Sequence, residues 1–181
     1  MLASRPTLLA CSAATLSAAA PVLAQWRTQS LHPAGATLSV ANGVRDGRQV
    51  GTARFGAVDR AMLWSGSAAS WIDLTPTGAV SGQASGAWDS QQVGWANIGG
   101  ANHAGLWAGT AASWVELHPV GASDSICRDT DGTQQVGQAA VDDVWHASLW
   151  MGSGSSWIDL HPAGAFASNA EGVGDGQQAG S

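Results

Sequence analysis

Lysine and tyrosine are absent from the sequence, and cysteine is nearly absent. All seven basic residues are arginines, against thirteen acidic residues, and the formal net charge is −6 at pH 7. This balance provides no basic face, so it excludes nucleic acid as a partner. Of the two cysteines, Cys11 lies near the N-terminus and Cys127 stands alone in the rest of the chain. A disulfide framework is therefore excluded, and we expect the fold to be stabilised by packing.

Long hydrophobic runs are also lacking, since no segment approaches the roughly 20 apolar residues that cross a bilayer, and we expect no membrane span. Residues 1–24 read MLASRPTLLACSAATLSAAAPVLA, with Arg5 near the start and Val22 and Ala24 at the −3 and −1 positions of a cleavage site. These features predict a signal peptide cleaved near Ala24. The lipoprotein alternative, LLAC ending at Cys11, leaves too little apolar length after Arg5. We therefore expect a secreted protein, extracellular or periplasmic.

One sequence motif recurs along the chain. LWSGSAASWIDLTPTGA begins at Leu63, and near copies begin at Leu106 and Leu149, at intervals of 43 residues. The same interval relates three sets of residues that we predict to be structural: Trp64, Trp107 and Trp150; Trp71, Trp114 and Trp157; Gly51, Gly94 and Gly137. A fixed period predicts stacked units that bury their apolar faces against one another.

We interpret residues 25–181 as one repeat domain. Its complete units are residues 31–73, 74–116 and 117–159, and its partial units are residues 25–30 and 160–181. Because the last unit is incomplete, the pattern favours a truncated propeller. The alternative is a four-bladed ring in which the N-terminal strands complete the last blade.

Each unit alternates short apolar stretches with turn residues, which is typical of β-strands. In the first unit the pattern predicts strands at residues 39–44, 48–54, 60–65 and 70–74. Asp46-Gly47 and residues 65–69 are the predicted hairpin turns, and Pro33 is expected at the second position of a turn that has Gly35 at its fourth.

Four short antiparallel strands in 43 residues match a propeller blade. We therefore predict an all-β fold of tandem four-stranded units, β-propeller-like, with a β-solenoid as the alternative. The tiny residues Gly51, Ala53 and Ala61 are expected to form a small face, against which the large face with Trp64 and Trp71 of a neighbouring unit packs.

Two phrases carry a family resemblance. HAGLW at residues 103–107 and HASLW at residues 146–150, each preceded by QQVG, resemble the HAF-type extracellular repeat family, named for a His-Ala-Phe tripeptide before Leu-Trp. The resemblance covers residues 31–181, although the third tripeptide position here is Met, Gly or Ser, and Arg60 replaces the first His. It implies an exported bacterial protein of tandem, propeller-like repeats, with no catalytic residues assigned to the repeat.

Several residue types of the repeat could carry chemistry. We call residues that recur at the same position of successive units a column. The acidic column is Asp73, Glu116 and Asp159, and the histidine column is His32, His118 and His161, with Thr75 in the remaining unit. Because one copy per unit seldom brings two catalytic groups together, we interpret the acids as turn-capping or solvated and the histidines as extended residues before proline. Asp129 and Asp131 are the candidates for calcium, although a calcium loop needs six or more oxygens. We expect no cofactor.

The residues that break the repeat are the candidates for ligand binding. Exposed tryptophan is a common binding anchor, and VDDVWH at residues 141–146 also gathers two acids and a histidine. The candidate binding residues are Trp88, Trp95, Asp142, Asp143, Trp145 and His146. The alternative is that this segment has no binding role and is a polar loop with one partly covered Trp. The partners that such a surface fits are a glycan or a cell-surface protein.

The sequence therefore predicts a non-catalytic structural or ligand-binding module. The alternative is an extracellular propeller-type hydrolase or lyase that acts on polysaccharide, with Asp142 and Asp143 as catalytic acids. No GxSxG, HExxH or CxxC motif supports the enzyme. An enzyme should gather its unit-specific polar residues at one end of the units, whereas a scaffold should scatter them.

Overall fold

Short β-strands make up most of the fold. A computed structural model describes residues 27–181, and the predicted signal peptide lies outside the described residues. The strands are β1 (Leu38–Arg45), β2 (Arg48–Phe55), β3 (Val58–Trp64), β4 (Ile72–Asp73), β5 (Ser81–Trp88), β6 (Gln91–Ile98), β7 (Ala101–Trp107), β8 (Val115–Glu116), β9 (Asp124–Thr130), β10 (Gln135–Val141), β11 (Val144–Trp150), β12 (Ile158–Asp159), β13 (Ala170–Gly174) and β14 (Gln177–Gly180). None of the helices in the described part of the chain has the length and apolarity needed to cross a membrane.

The strands form one sheet per repeat. β1 to β4, β5 to β8 and β9 to β12 each form a four-stranded sheet in chain order, and β13 pairs with β14 in a fourth sheet. All pairs are antiparallel and join consecutive strands. The predicted all-β, propeller-like class is therefore confirmed. The β-solenoid alternative is wrong over these residues, because a solenoid stacks coils along one axis and does not pair consecutive strands as hairpins.

Local turn chemistry determines where the strands begin and end. The predicted turn at Asp46 and Gly47 is present, and both residues adopt positive φ, of 48° and 75°. The predicted strand at residues 70–74 is shorter, however, because Ser70 ends a single 3₁₀ turn, Ala68–Ser70. The Ser70 hydroxyl accepts a hydrogen bond from the Ser65 N–H at 2.8 Å and donates one to the Ser67 carbonyl at 2.7 Å. These bonds hold the chain out of the sheet until residue 72. The same 3₁₀ turn recurs at Ala111–Ser113 and Gly154–Ser156.

The proline turn is displaced by one residue from the prediction. The Ala36 N–H donates to the Pro33 carbonyl at 3.2 Å, so Pro33 occupies the first position of the turn. Gly35 is third, with φ of 83°. A turn of this type needs positive φ at its third position, and this requirement on glycine fixes the register.

Tryptophan packs the second and third sheets against the sheets that precede them. Trp107 of β7 is fully buried in a cluster with Val50, Ala61 and Leu63 of the first sheet. Trp150 of β11 occupies the same position, against Val93, Ala104 and Leu106 of the second sheet. Burial of each indole removes roughly 150–250 Å² from water, a gross stabilisation of about 4–6 kcal/mol. The burial of these indoles therefore depends on the neighbouring unit.

The small residues are distributed differently from the prediction. Only Ala61 faces the Trp of the next sheet, whereas Ala53 packs in one cluster with Trp64 of its own sheet. Gly51 pairs with Met62, on that same face of the strand. The predicted division into one small and one large face is therefore wrong for Gly51 and Ala53.

A β-bulge explains the glycine column. The register of β1 on β2 shifts between Ala41 and Gly43, and the shift recurs in every sheet. The bulge presses the Val40 carbonyl onto Gly51, so that a Cβ at Gly51 would overlap the Val40 oxygen. Gly94 and Gly137 make the same backbone approach to Gln83 and Ile126. These glycines are needed where two backbones meet within one sheet.

Candidate functional site

The histidine and acidic columns meet in a network that sequence reasoning missed. In the second unit, His103 Nδ1 bonds Glu116 Oε1, and the His103 ring stacks on His118 with centroids 4.0 Å apart. His118 Nδ1 bonds Ser125 Oγ at 2.7 Å, and Ser125 Oγ accepts the Ala104 N–H at 2.8 Å. The network ties β7 to the first strand of the next sheet.

The third unit repeats the network with the same atoms. His146 Nδ1 bonds Asp159 Oδ2 at 2.8 Å and stacks on His161 at 4.1 Å. His161 Nδ1 bonds Ser168 Oγ at 2.7 Å, and that hydroxyl accepts the Ala147 N–H at 2.9 Å. The predicted role of the acids as solvated or turn-capping groups was therefore incomplete, because these acids also bond a histidine.

Several members of the network are changed together where the first unit meets the second. Arg60 replaces the first histidine and bonds Asp73 at 3.3 Å. Thr75 replaces the second histidine, and its hydroxyl accepts the Ala61 N–H at 3.1 Å. Gly82 stands where the serine would be, so Thr75 supplies the missing hydroxyl. These joint substitutions at an interval of 43 residues are the sequence signal that could have revealed the network.

The groups of the histidine network that could take part in catalysis are hydrogen-bonded or buried. His118 Nε2 faces the Ala122 carbonyl at 3.0 Å, so both of its ring nitrogens have partners. Ser125 is fully buried. Burial and the neighbouring His103 lower the pKa of His118. Burial raises the pKa of Asp159, but the His161 backbone N–H and the His146 ring outweigh it, so the pKa lies below its ordinary value. We interpret the network as structural, because a nucleophile must be accessible.

The two tryptophan columns differ in exposure. Trp64, Trp107 and Trp150 are fully buried. Trp114 and Trp157 are half-buried against the core clusters in which Trp107 and Trp150 lie. Trp114 also lies over Gly105, where a Cβ would overlap its ring, so glycine at this position makes room for the indole. Trp71 is 40% exposed and contacts Phe55, with ring centroids 5.5 Å apart.

Trp88 and Trp95 lie apart from the other candidate binding residues. Trp88 ends β5, and the Arg45 guanidinium lies over its ring, 3.6 Å from the centroid. Gly132 lies against the ring edge, since a Cβ there would be 2.8 Å from Trp88 Cδ1. Trp95 is half-buried within β6, paired with Gln83 and Ala104. Neither ring is grouped with the acids of residues 141–146.

The segment VDDVWH is divided between two roles. Asp142 and Asp143 are the exposed central residues of the β10–β11 turn, with φ of 49° and 63°. Trp145 lies two residues into β11, whereas His146 belongs to the histidine network. Successive hairpin turns of a meander lie at opposite ends of a sheet, so this turn and Trp88 lie at opposite ends. The structure therefore does not gather the unit-specific residues at one end.

Trp145 lines a cavity of about 250 Å³ between the third and fourth sheets. The polar side chains around it are Gln138, Ser168, Asn169 and Ser181. The Ser168 N–H donates to the Trp145 carbonyl at 2.8 Å, and this bond fixes β11 against the connection between β12 and β13. Here an aromatic ring lies among amide and hydroxyl groups that can donate and accept hydrogen bonds.

The calcium candidates have other partners. Asp129 Oδ2 accepts the Val173 N–H at 3.1 Å. Asp131 Oδ1 accepts the N–H groups of Gln134 and Thr133 at 2.7 and 2.9 Å, and the bond from Gln134 is the main cause of its lowered pKa. Within residues 27–181 no three histidine, cysteine, aspartate or glutamate side chains are grouped to hold a metal ion. Both carboxylates fix backbone turns and connections between units.

Cys127 occupies a column otherwise filled by alanine and is fully buried. It belongs to the cluster with Val93, Ala104 and Trp150. Burial raises the pKa of the thiol, and the nearby Asp129 carboxylate raises it further. The thiol is therefore neutral and enclosed.

Comparison of the chain with known proteins gave no match to a family model, to a curated protein or to a solved structure.

Proposed function

We propose that this chain is an exported bacterial repeat protein of the HAF type that acts as a non-catalytic scaffold and binds glycan through the Trp145 cavity. Export rests on the N-terminal residues, where cleavage near Ala24 would leave Gln25 as the first residue. Edman sequencing or mass spectrometry of the protein from the culture medium or periplasm tests this step. An uncleaved chain in the cytoplasm would contradict it.

The observation that carries the non-catalytic role is the recurrence of the histidine network. Its bonds appear with the same atoms around β7 and β11. They tie β7 to Ser125 of β9, and β11 to Ser168 in the connection that leads to β13. An active site needs one constellation, whereas a scaffold needs the same tie in each unit. Asp142 and Asp143, the catalytic candidates of the enzyme alternative, lie together in one exposed turn, at the opposite end of the sheets from Trp88.

The composition of the Trp145 cavity supports a glycan ligand. An indole face offers apolar area to the C–H face of a sugar ring, and amide and hydroxyl groups orient its hydroxyls. Gln138 lines the cavity with a side-chain amide. Asn169 and Ser181 also line it, although the Ser181 hydroxyl donates to Asn169 Oδ1 at 2.9 Å and Asn169 Nδ2 donates to Glu171 Oε1 at 2.8 Å. A neutral sugar needs no charged partner, which agrees with a cavity lined by no arginine, aspartate or glutamate.

A polysaccharide binding assay tests the proposal with a matched pair of variants. Trp145→Ala should weaken binding by about 30-fold or more, because the loss of a central aromatic anchor typically costs 2 kcal/mol or more. Trp88→Ala removes the same side chain at the opposite end of the sheets and should leave binding unchanged. Equal binding by both variants would refute the Trp145 site. Far-UV circular dichroism checks that both variants are folded.

Hydrolysis assays on the same polysaccharides test the absence of catalysis. We expect no turnover from the purified chain. Turnover that is lost in Asp142→Ala, with binding retained, would overturn the scaffold and favour the hydrolase or lyase.

A further inference from the structure

Each junction between successive units secures one backbone N–H of a third strand with a side-chain hydroxyl. We define the junctions by these pairs, which are Ala61 with Thr75 at the first, Ala104 with Ser125 at the second, and Ala147 with Ser168 at the third. At the second and third junctions a stacked pair of histidines lies beside the hydroxyl. These two junctions therefore contain groups that titrate near neutral pH.

Hydrogen bonds fix the positions of the protons at the second junction. His118 Nε2 lies 3.0 Å from the Ala122 carbonyl oxygen, which can only accept, so Nε2 carries a proton. In the neutral ring Nδ1 is then an acceptor, and the Ser125 hydroxyl, 2.7 Å away, donates to it. The same hydroxyl oxygen accepts the Ala104 N–H at 2.8 Å. Each of these protons has an acceptor as long as His118 is neutral.

A second proton on His118 is incompatible with this arrangement. Nδ1 would become a donor that points at the Ser125 oxygen, so the Ser125 proton would have to turn away from the ring. Ser125 is fully buried, and a buried hydroxyl proton without an acceptor destabilises the closed junction.

The charged groups around His118 act in both directions. Its ring stacks on His103 of β7, with centroids 4.0 Å apart and planes 14° apart, so two protonated rings would face each other. Glu116 of β8 and Asp124 of β9 are the carboxylates that favour the charged ring. Burial and His103 outweigh them, and the pKa of His118 lies below its ordinary value. A proton therefore favours the open junction over the closed one.

The third junction repeats these contacts. The His161 ring stacks on His146 with centroids 4.1 Å apart and planes 10° apart, and Asp159 is the carboxylate bonded to His146. His161 Nε2 lies 3.2 Å from the Ala165 carbonyl oxygen, and Nδ1 lies 2.7 Å from Ser168 Oγ. The protons of the neutral ring are therefore placed as in His118, and a second proton has the same consequence.

The first junction makes the same tie without a histidine pair. The Thr75 hydroxyl accepts the Ala61 N–H at 3.1 Å, and Arg60 bonds Asp73 at 3.3 Å. A threonine hydroxyl does not titrate in water, and an arginine side chain keeps its charge throughout the neutral and mildly acidic range. Mild acid thus leaves the tie between Thr75 and Ala61 in place.

From this contrast we infer that the second and third junctions are acid-sensitive joints, whereas the first junction is a fixed one. In mild acid the connections at residues 117–123 and 160–169 separate from β7 and β11, and the imidazoles that they carry gain access to water. The connection at residues 74–80 remains attached to β3. Acid therefore loosens the array of sheets at defined places before it unfolds the sheets themselves.

Amide hydrogen exchange tests the inference within one molecule. The measured quantity is the protection factor, which is the exchange rate of an unstructured chain divided by the observed rate at the same pH. For the Ala104 N–H it should fall by about 3- to 10-fold for each pH unit below the ordinary histidine value of 6.5, because opening takes up one proton. The Ala147 N–H should follow Ala104, whereas the protection factor of the Ala61 N–H should stay constant.

A triple variant of the second junction is the matched control. His103→Arg, His118→Thr and Ser125→Gly together give this junction the residues of the first, which has Arg60, Thr75 and Gly82 at those positions. The Ala104 N–H should then remain protected at neutral pH and lose its pH dependence, while Ala147 behaves as before. If the variant does not fold, the comparison of Ala104 with Ala61 in the unmodified chain still decides.

Nitrogen chemical shifts of the imidazoles give a readout that is independent of exchange. At neutral pH His118 should carry its proton on Nε2. A proton on Nδ1 would overturn the inference, as would equal losses of protection at Ala104 and Ala61 or a protection factor of Ala104 that does not change with pH. A pH dependence that persists in the folded triple variant would also overturn it. Glycan binding does not enter these measurements, so they stand whatever the result for the Trp145 cavity.

Discussion

Substitution of Gly94 by alanine tests whether backbone contact at the bulge explains the glycine column. A Cβ at this position would overlap the Gln83 carbonyl oxygen and lie 2.9 Å from Ala84 Cα and 3.0 Å from Gln83 C. All three atoms belong to the backbone, so no side chain can move aside. Gly94 does not have positive φ, and the cost is therefore steric and not conformational.

The size of the expected stability loss follows from the backbone groups that the added Cβ displaces. Overpacking of a well-packed site costs about 1–3 kcal/mol. The strands β5 and β6 must also separate locally, which removes one or two ladder hydrogen bonds at about 0.5–1.5 kcal/mol each. We expect Gly94→Ala to lower the free energy of unfolding by about 1.5–6 kcal/mol.

Urea unfolding monitored by tryptophan fluorescence measures this change. Gly174→Ala is the matched control, because a Cβ there has no atom within 4 Å and its φ is not positive. We expect the control to leave stability unchanged or to raise it by about 0.4–1 kcal/mol. The steric explanation would be refuted if Gly94→Ala were as stable as the control.

Three further predictions concern buried groups. Trp107→Ala should lower the free energy of unfolding by about 3–5 kcal/mol, whereas Trp107→Phe should lower it clearly less, because the indole N–H makes no hydrogen bond within the described residues. Thermal unfolding compares the two variants, and equal losses of stability would contradict this prediction. The lowered pKa of His118 means that the unfolded state binds more protons, so the free energy of unfolding should fall as the pH drops below the ordinary value of 6.5. His118→Gln should flatten this part of the pH profile of stability, and an unchanged profile would refute the role of His118. Cys127 should react with a thiol reagent only after unfolding, and rapid labelling of the native chain would show that it is accessible.

The strand pattern was predictable because its signals are local. The Asp46-Gly47 turn needs positive φ, and the alternation of apolar residues on either side of it determines β1 and β2. The 3₁₀ turn that shortened the fourth strand depends on the hydroxyl of Ser70 and on two backbone groups, none of which alters the apolar pattern. Sequence reasoning therefore placed the strands but not all of their bounds, since β3 begins at Val58, two residues before the prediction, and β4 spans only Ile72–Asp73.

The histidine network was not predictable from local spacing. His103 and Glu116 are 13 residues apart and meet only because β7 pairs with β8. Ser125 reaches the same network from the next sheet, which no pattern within one strand indicates. Trp88 stands out in the sequence as a break in the repeat, but the sequence could not show that the side chain is half-buried or that Arg45 covers its ring.

The position of Trp107 between two units has a consequence for how such arrays grow. The indole belongs to one 43-residue unit, whereas Val50, Ala61 and Leu63, which pack against it, belong to the unit before. Duplication of any whole unit in the gene therefore creates one new indole and one new set of such packing residues, and the supply remains matched at each added boundary. An insertion of a few residues within a strand has no such compensation, since it would separate the indole from these residues. Selection on packing alone is then sufficient to keep the interval at 43 residues while the turns, such as the one at Asp142 and Asp143, diverge.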